Sequence, residues 1–314
     1  MPGTTPALPH SSLKSHRRHF LASASAWSVA ALVVPISGCA TLLAPNEPRA
    51  SYKLDTLIAS PNQGSRVSTL VLHYTALPLG ASIAILTDPR RAVSAHYVVP
   101  DAPDNDGKFG VFALVPESQL ARHAGVSYWQ GVRMLNGTSI GIEIVNGGFP
   151  AKDNRVPLMT RDWEAFGDDQ IAVVGELARD IVSRHDIAPH RVVAHADVAP
   201  GRKLDPGPLF PWRKLYETYG VGAWPDADVV EYHRIAQPFD GDIGDLQAKL
   251  LAYGYDTPQN GELDARTVDV VSAFQMHFRP ARYDGVPDAE TVAILDALLE
   301  KYFNRPRQPQ SGPV

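Results

Sequence analysis

The chain has almost no cysteine: of its 314 residues only Cys39 carries a thiol. A single thiol cannot form an intrachain disulfide, so no disulfide framework holds this fold. Positive charge is not in excess either, because the chain has 29 Lys and Arg against 34 Asp and Glu and a net charge of −5. A general nucleic-acid binder would be basic, so nucleic acid is excluded as the expected partner. The length leaves room for about two domains.

Long apolar runs are also scarce, and the one that stands out lies near the N-terminus. Arg17 and Arg18 precede an apolar stretch from Phe20 to Ile36 that is broken by serines. It is too short to be taken as a membrane-spanning helix, and a basic region followed by an apolar core is typical of a secretory signal. We therefore expect this segment to direct export and not to belong to the fold.

The end of this segment, Ile36-Ser-Gly-Cys39, resembles a bacterial lipobox. The resemblance implies that Cys39 becomes the acylated N-terminal residue, and several acyl chains give stable anchoring where one would be marginal. Ala40 after the cysteine fits sorting to the outer membrane in such bacteria. The alternative is an incidental cysteine near a cleavage site. The stretch Arg17 to Leu21 also resembles a twin-arginine export signal, although it could equally be an ordinary basic region.

The rest of the chain divides by composition and periodicity. Proline-rich residues after the signal predict a tether, and breaks after Gly220 predict a linker ahead of a small helical unit. The predicted segments are a signal peptide at 1–39, a tether at 40–60, a catalytic α/β domain at 61–220, a linker at 221–238, a three-helix domain at 239–303 and a disordered tail at 304–314.

Within the α/β domain, apolar runs predict strands over 67–74 and 190–195, and helical spacing predicts a long helix that ends near His185. Residues 139–145 alternate strictly, with three isoleucines on one face and Glu143 on the other. The pattern predicts a mixed α/β fold, with Glu143 on the face opposite the isoleucines.

Two histidines stand at predicted strand ends. His73 ends the first strand, and His195 begins a loop segment that continues to Asp205 through prolines and glycines. Two imidazoles and a carboxylate are a ligand set that catalytic zinc uses, with the fourth position left for water. A single histidine is more often a packed or surface residue, but His73 differs because it ends a strand that reads as core, and His195 differs because Lys203 and Asp205 follow it. The sequence therefore predicts a Zn²⁺ site formed by His73, His195 and Asp205.

Two further charged residues fit hydrolysis at such a site. Glu143 can act as the base that takes a proton from water and returns it to the leaving nitrogen. Lys203, between two predicted ligands, can stabilise the oxyanion of a tetrahedral intermediate. The alternatives are a solvated strand face for Glu143 and an ordinary surface lysine for Lys203.

These segments together resemble the zinc-dependent N-acetylmuramoyl-L-alanine amidases, a superfamily that includes T7-type lysozyme amidases and peptidoglycan recognition proteins. The resemblance covers roughly residues 60–219 and rests on five blocks that occur in the family's order: Val71-Leu-His-Tyr-Thr75, Ser94-Ala-His-Tyr-Val98, Arg122-His-Ala-Gly125, Gly141-Ile-Glu-Ile-Val-Asn146 and Arg202-Lys-Leu-Asp-Pro-Gly-Pro208.

The resemblance implies that His73, His195 and Asp205 bind zinc, that Glu143 is the base and that Lys203 stabilises the transition state. It also implies a mixed β-sheet flanked by helices and places His123 and Trp129 in the substrate groove. The implied reaction is hydrolysis of the amide between N-acetylmuramic acid, or its anhydro form, and L-alanine of the stem peptide. The chain departs from the family at Arg122, where many relatives carry an aromatic residue, and at Ala196, where many have serine.

The C-terminal unit resembles the three-helix peptidoglycan-binding domain, through Leu246-Gln247, Tyr253-Gly-Tyr255 and the run from Thr267 to Gln275. Three functional classes follow. The first is an amidase anchored by lipid on the periplasmic side of the cell envelope, at the outer membrane. The second is a non-catalytic peptidoglycan-recognition protein of the same fold, which the complete ligand set argues against. The third is a cytoplasmic anhydro-muropeptide amidase, which the export signal argues against.

Overall fold

A computed structural model describes residues 48–49 and 51–305, so the predicted signal segment, Cys39 and the tail after 305 lie outside the described residues. The described residues fall into two compact units, divided between residues 62 and 63. In the first, β1 (Pro48–Arg49) pairs antiparallel with β2 (Tyr52–Lys53). In the described part of the chain, no helix combines the length and apolar character needed to cross a membrane.

The second unit is organised around one five-stranded sheet with the order β5-β4-β8-β3-β9. Strands β4, β8, β3 and β9 run parallel, and β5 is antiparallel to β4. This is the mixed sheet that the family resemblance implies. Its strands are β3 (Thr69–Tyr74), β4 (Tyr97–Val99), β5 (Phe112–Ala113), β8 (Ser139–Ile144) and β9 (Val192–Ala194). A separate two-stranded ribbon joins β6 (Tyr128–Trp129) to β7 (Val132–Arg133).

The centre of the sheet is apolar because both of its faces are covered. Leu70, Val71 and Leu72 of β3 are fully buried, as expected for a parallel strand between two others. Residues of the long helix α2 (Asp168–His185) line the same hydrophobic core at helical spacing. Two shorter helices, α1 (Leu79–Leu86) and α4 (Trp212–Tyr219), complete this part of the molecule.

The segment after β9 differs from the prediction. Strand β9 ends at Ala194, and His195 begins a single helical turn, α3 (His195–Val198), where the sequence suggested a loop. The carboxylate of Asp197 accepts a hydrogen bond from the Ala194 backbone N–H at 2.8 Å, and this bond closes the turn. Prolines and glycines exclude helix only from position 200 onwards, so one turn fits before them.

The three predicted C-terminal helices are all present, and each begins with an aspartate cap. The side chains of Asp242, Asp264 and Asp288 accept hydrogen bonds from backbone N–H groups three residues later, at 2.8–3.0 Å. The helices are α6 (Ile243–Tyr253), α7 (Ala265–Phe278) and α8 (Ala289–Phe303). A fourth helix, α5 (Ala227–Ala236), lies in the segment predicted as linker and packs on α8.

The sheet and the C-terminal helices share one hydrophobic core. Trp129 of β6 lies edge-on to Tyr255 with 4.9 Å between ring centroids, and Tyr253 and Phe274 continue the same buried cluster into the helical region. Sheet and helices are therefore parts of one packed unit, and the helical region lies directly beneath the segment that begins at His195.

Candidate metal centre

Strand register places the first site residues side by side. In the parallel pair of β3 and β8, His73 lies opposite Glu143. Paired residues of adjacent strands project to the same face of a sheet, and the isoleucines next to Glu143 in β8 project to the other face. The alternation read from the sequence thus puts Glu143 beside His73.

His73, His195 and Asp205 converge on one point. The Nδ1 atoms of the two histidines are 3.0 Å apart, and each lies 2.9 Å from Oδ2 of Asp205. All three side chains are buried. Their three donor atoms form a nearly equilateral triangle, and no other group of three such residues in the described chain meets the same spacing.

The donor set fits a zinc ion. Tetrahedral zinc binds histidine nitrogen and carboxylate oxygen at about 2.0–2.2 Å, which separates neighbouring donors by about 3.3 Å. The observed separations are only a few tenths of an ångström shorter. Two neutral imidazoles and a carboxylate leave a single positive charge on the bound cation, so the site combines tight binding with Lewis acidity.

Backbone contacts orient the His195 ring. Its Nε2–H donates to the carbonyl oxygen of Ala124 at 3.1 Å, which leaves Nδ1 without a proton and available as a ligand. The guanidinium of Arg202 donates to the same carbonyl at 2.7 Å. The Ala196 N–H donates to the Asp205 backbone carbonyl at 2.9 Å, and this bond ties the two ligand segments together.

A chain of hydrogen bonds orients the His73 ring in the same way. The Ser139 hydroxyl donates to the Leu135 carbonyl at 2.6 Å, so its oxygen accepts from Nε2–H of His123 at 3.1 Å. His123 therefore carries no proton on Nδ1, which accepts from Nε2–H of His73 at 3.0 Å. The carbonyl at the far end can only accept, so it determines the tautomer of every ring in the chain. Nδ1 of His73 is left free to bind a cation.

Electrostatics keep these groups in their ligand forms. Burial and the neighbouring His195 lower the pKa of His73 to about 4, so its ring is neutral at pH 7. Burial and the nearby His73 also hold the pKa of His123 well below its usual value. Burial alone would raise the pKa of Asp205, but His195 and His73 outweigh it and the pKa is lowered. Asp205 is therefore a carboxylate beside the neutral His73 ring.

Glu143 lies in the same cleft, where its surroundings disfavour the ionised carboxylate. Its Oε2 is buried without a hydrogen-bond partner in the described structure. Burial and the nearby Asp205 carboxylate raise the pKa of Glu143 to about 8, against a smaller lowering by Lys203. A cation bound by the triad would lower that pKa again, because it attracts the ionised form. Such a carboxyl group can exchange a proton near neutral pH.

The site opens into a cleft of about 380 Å³. Lys203 lies half-buried in it, and Arg122 extends from its wall as an exposed side chain. Neither cation has an ion-pair partner among the described residues. The lining combines the ligand triad and Glu143 with apolar and basic side chains: His73, Tyr74, Thr75, Ala76, Leu86, Val93, Ser94, Arg122, His123, Glu143, His195, Arg202, Lys203, Leu204 and Asp205.

The two residues predicted to line the substrate groove occupy different places. His123 does face the cleft, but both of its ring nitrogens are bonded to His73 and Ser139. The structure puts Trp129 elsewhere: its ring is only 1% exposed, packs on Tyr255 and donates to the His190 carbonyl at 3.0 Å. A side chain so fully covered cannot line an open groove.

Several residues that support the triad have no role predicted from the sequence. Ser139 and Asp197 are small or charged residues at apolar strand and turn positions, and both are buried. Asp197 lies only two residues after a predicted ligand, in a run that is otherwise buried and apolar, and this contrast is the signal that could have identified it. The Ala124 and Leu135 contacts involve backbone carbonyls, which leave no trace in residue identity.

Comparison with known proteins identifies the same family that the sequence blocks resemble. The family model described as N-acetylmuramoyl-L-alanine amidase matches residues 63–208, and that of a putative peptidoglycan binding domain matches 240–295. The N-acetylmuramoyl-L-alanine amidase AmiD of Escherichia coli (strain K12) is 45% identical over 280 residues, which are 88% of this chain and 97% of AmiD.

Solved structures agree in fold. A complex of the E. coli AmiD with anhydro-N-acetylmuramic acid-L-Ala-D-gamma-Glu-L-Lys superposes with a TM-score of 0.74 at 44% identity, covering 81% of this chain and 97% of that one. The crystal structure of AmpDh3 from Pseudomonas aeruginosa has a TM-score of 0.71 at 40% identity, with 81% and 99% covered. Given this identity over nearly the whole length, the chain belongs to the N-acetylmuramoyl-L-alanine amidase family.

Proposed function

We propose that this protein is a zinc-dependent N-acetylmuramoyl-L-alanine amidase of the cell envelope. It hydrolyses the amide that joins the lactyl group of N-acetylmuramic acid, or of its anhydro form, to L-alanine of the peptidoglycan stem peptide. The observation that carries this proposal is the triangle of His73, His195 and Asp205 donors beside Glu143 and Lys203 in one open cleft. A member of the amidase family with this site has every group that amide hydrolysis needs.

Each residue has a part in the proposed reaction. Zinc, when bound by His73, His195 and Asp205, supplies Lewis-acid chemistry that polarises the scissile carbonyl and makes water nucleophilic at neutral pH. Glu143 accepts a proton from the attacking water as the new C–O bond forms, and it returns that proton to the nitrogen as the C–N bond breaks. The Lys203 ammonium stabilises the negative oxygen of the tetrahedral intermediate. The products are the free lactyl carboxylate and the peptide amine.

Arg122 is suited to hold the peptide part of the substrate. Its exposed guanidinium lines the cleft beside apolar Leu86 and Val93, and it has no ion pair in the described structure. The E. coli AmiD complex contains a D-glutamate linked through its γ-carboxyl group, and such a linkage leaves the α-carboxylate free. We infer that Arg122 binds this carboxylate, since a guanidinium fork matches a carboxylate in geometry and charge.

The export and anchoring predictions complete the proposal. A lipobox-like Cys39 supports a lipid anchor, and Ala40 supports retention at the outer membrane with the catalytic unit on the periplasmic side. The helical region matched by the peptidoglycan-binding model supports contact with the wall itself. A cytoplasmic amidase would have no use for the export signal.

A non-catalytic recognition protein of the same fold is the alternative function. It would need neither a complete donor triangle nor a buried, unpartnered carboxylate oxygen on Glu143. Both features are costly in a folded protein unless a cation and a reacting proton use them. The site therefore favours catalysis over recognition alone.

The test combines metal analysis with product analysis. The purified protein should contain about one zinc per chain, and it should release stem peptides with a free L-alanine amine from sacculi and from soluble anhydro-muropeptides. Chelation should abolish release, and added zinc should restore it. If active protein holds no zinc, or if chelation leaves the rate unchanged, the proposed mechanism is wrong. If the protein binds sacculi and zinc but releases no peptide, the recognition alternative is correct.

A further inference from the structure

The carboxylate of Asp197 connects the C-terminal helices to the ligand segment that runs from His195 to Asp205. Its Oδ1 accepts from the Tyr255 hydroxyl at 2.7 Å, and its Oδ2 accepts from Nδ1 of His277 at 2.7 Å and from the Ala194 N–H at 2.8 Å. Tyr255 and His277 belong to the helical region, whereas Ala194 directly precedes the ligand His195. One buried side chain thus joins the two parts of the molecule.

Helix α7 contacts the same segment at two further points. The Arg266 guanidinium donates to the Pro200 carbonyl. At Gly201 the carboxylate of Asp269 approaches so closely that a Cβ atom would lie 2.1 Å from its Oδ2. Residues 197 and 200 are therefore hydrogen-bonded from the helical side and residue 201 is in close contact with it, and all three lie between the ligands His195 and Asp205.

Burial makes this contact energetically significant. Asp197 is 1% exposed, and Tyr255 and His277 are equally covered. The His277 ring is stacked on Trp212 at 3.8 Å and on Phe278 at 3.9 Å, so it has little freedom to move. A buried carboxylate is costly unless its hydrogen bonds are made. If one donor is removed, a rotated conformation in which the carboxylate accepts from another donor becomes favourable. Rotation of Asp197 would release the Ala194 N–H and shift α3, which carries His195.

We propose that Tyr255 and His277 are positioning residues for the zinc ligand His195, so that the C-terminal helical region has a second role beside wall binding: it holds the metal site in shape. The proposal rests on the proposed zinc site. Ligand atoms must be held within about 0.5 Å of their binding geometry, and supporting hydrogen bonds commonly change metal affinity by about 10–100-fold. A wall-binding module that merely hangs from the catalytic part would have no such effect.

The experiment uses the full chain with Tyr255→Phe, which removes one hydroxyl group and keeps the packed ring, and with His277→Gln as a second variant. The zinc dissociation constant is measured by competition with a chelator, kcat and KM with a soluble anhydro-muropeptide, and wall binding by pelleting with sacculi. We expect the zinc dissociation constant of each variant to rise about 10-fold. kcat at limiting zinc should fall with it, and sacculus binding should stay as in the wild type.

The matched control is Arg133→Gln. It removes an exposed ion pair with Asp256 that also joins the two parts of the molecule, and the Arg133 guanidinium has no hydrogen bond to residues 195–205 in the described structure. Its zinc affinity should equal that of the wild type. A double variant, Asp197→Asn with Tyr255→Phe, should lose little more affinity than Asp197→Asn alone, because both changes break the same contact.

Three results would overturn the proposal. Unchanged zinc affinity in Tyr255→Phe and His277→Gln, with or without a lower melting temperature, would reduce both residues to ordinary core contacts. Loss of sacculus binding with unchanged zinc affinity would make them wall-binding residues. An equal loss in Arg133→Gln would show that the effect belongs to the interface as a whole. Failure of the proposed amidase function is recognised separately, since the wild type would then bind zinc and release no peptide.

Discussion

At the scale of single residues, Glu143 separates metal binding from catalysis. It lies beside the donor triangle but contributes none of its three atoms. We expect Glu143→Gln to keep zinc and to lose at least about 100-fold in kcat, because general acid–base catalysis contributes about 10²–10⁴-fold. Zinc content and release of stem peptide are measured on the same preparation. His73→Ala is the comparison, and it should lose the metal; loss of zinc in Glu143→Gln would make Glu143 a ligand.

The same residue gives a pH dependence to the metal-free protein. The pKa of Glu143 rises from 4.5 to about 8 on folding, so the folded state holds this proton more tightly than the unfolded state. Stability is therefore lost as the pH rises from about 4.5 to about 8. Glu143→Gln lacks this loss, so its stability relative to the metal-free wild type should rise across this pH range by up to about 5 kcal/mol.

Thermal unfolding in the presence of a chelator, followed across this pH range, measures the difference. The difference in free energy of unfolding between Glu143→Gln and the wild type should grow as the pH rises and should be constant at higher pH. Zinc should narrow it, because a cation stabilises the ionised glutamate. Parallel curves for the two proteins would show that Glu143 keeps an ordinary pKa.

Arg122 makes a prediction about substrate choice. If its guanidinium binds the free carboxylate of the γ-linked glutamate, Arg122→Gln should lower kcat/KM about 10-fold for a carboxylate substrate. It should have little effect on an otherwise identical substrate with a carboxamide at that position. Steady-state kinetics with the two soluble muropeptides provide the measurement, and an equal loss on both would remove Arg122 from substrate recognition.

At the scale of elements, strand β8 shows how one glycine makes room for the support of a ligand. A Cβ atom on Gly141 would lie 2.4 Å from Cγ of His123, because that ring packs flat against the strand. Gly141 has no left-handed backbone, so a substitution there acts only through this collision. Gly141 is thus required for the series of hydrogen bonds that runs from the Leu135 carbonyl through Ser139 and His123 to His73.

Gly141→Ala should displace the His123 ring and weaken zinc binding about 10-fold, as loss of a supporting hydrogen bond does in other metal sites. The control is Gly137→Ala, just ahead of the same strand, where an added Cβ meets no atom within 4 Å. Chelator competition compares the two variants. Equal zinc affinities would mean that His73 keeps its orientation without His123.

In the C-terminal region, capping residues show which helix starts can be read from the sequence. Aspartates at positions 242, 264 and 288 cap α6, α7 and α8, and these caps mark each start in the sequence. Helix α5 has no such side-chain cap and lies between predicted breaks, so local sequence does not announce it. Its packing on α8 stabilises it instead, which is a tertiary effect.

At the scale of the whole molecule, the prediction concerns location. Cys39→Ala should move the protein from the membrane fraction to the soluble periplasmic fraction when it is expressed in a bacterium that processes lipoproteins, because the acylated residue is lost. Thr41→Ala, two residues later, is the matched control and should stay with the membrane. Fractionation with immunodetection gives the result, and retention of Cys39→Ala in the membrane fraction would refute the anchor.

Local sequence determined a large part of this protein. Alternation along 139–145 placed Glu143 on the face opposite the isoleucines, and buried strands ending at polar residues identified His73 and His195. Those patterns are readable because side-chain periodicity follows directly from backbone geometry. The three C-terminal helices were predictable for the same reason, and the family blocks made the amidase family recognisable together with its mixed sheet.

Only the tertiary structure decided which groups meet. Trp129 reads as a groove residue by its place in a motif, yet its ring is covered by Tyr255 from 126 residues away in the chain. The tautomers of His73 and His195 depend on the carbonyls of Leu135 and Ala124, and backbone acceptors have no residue code. The burial of a side chain and the identity of its hydrogen-bond partners are properties of the packed molecule, because they depend on atoms brought together from distant segments.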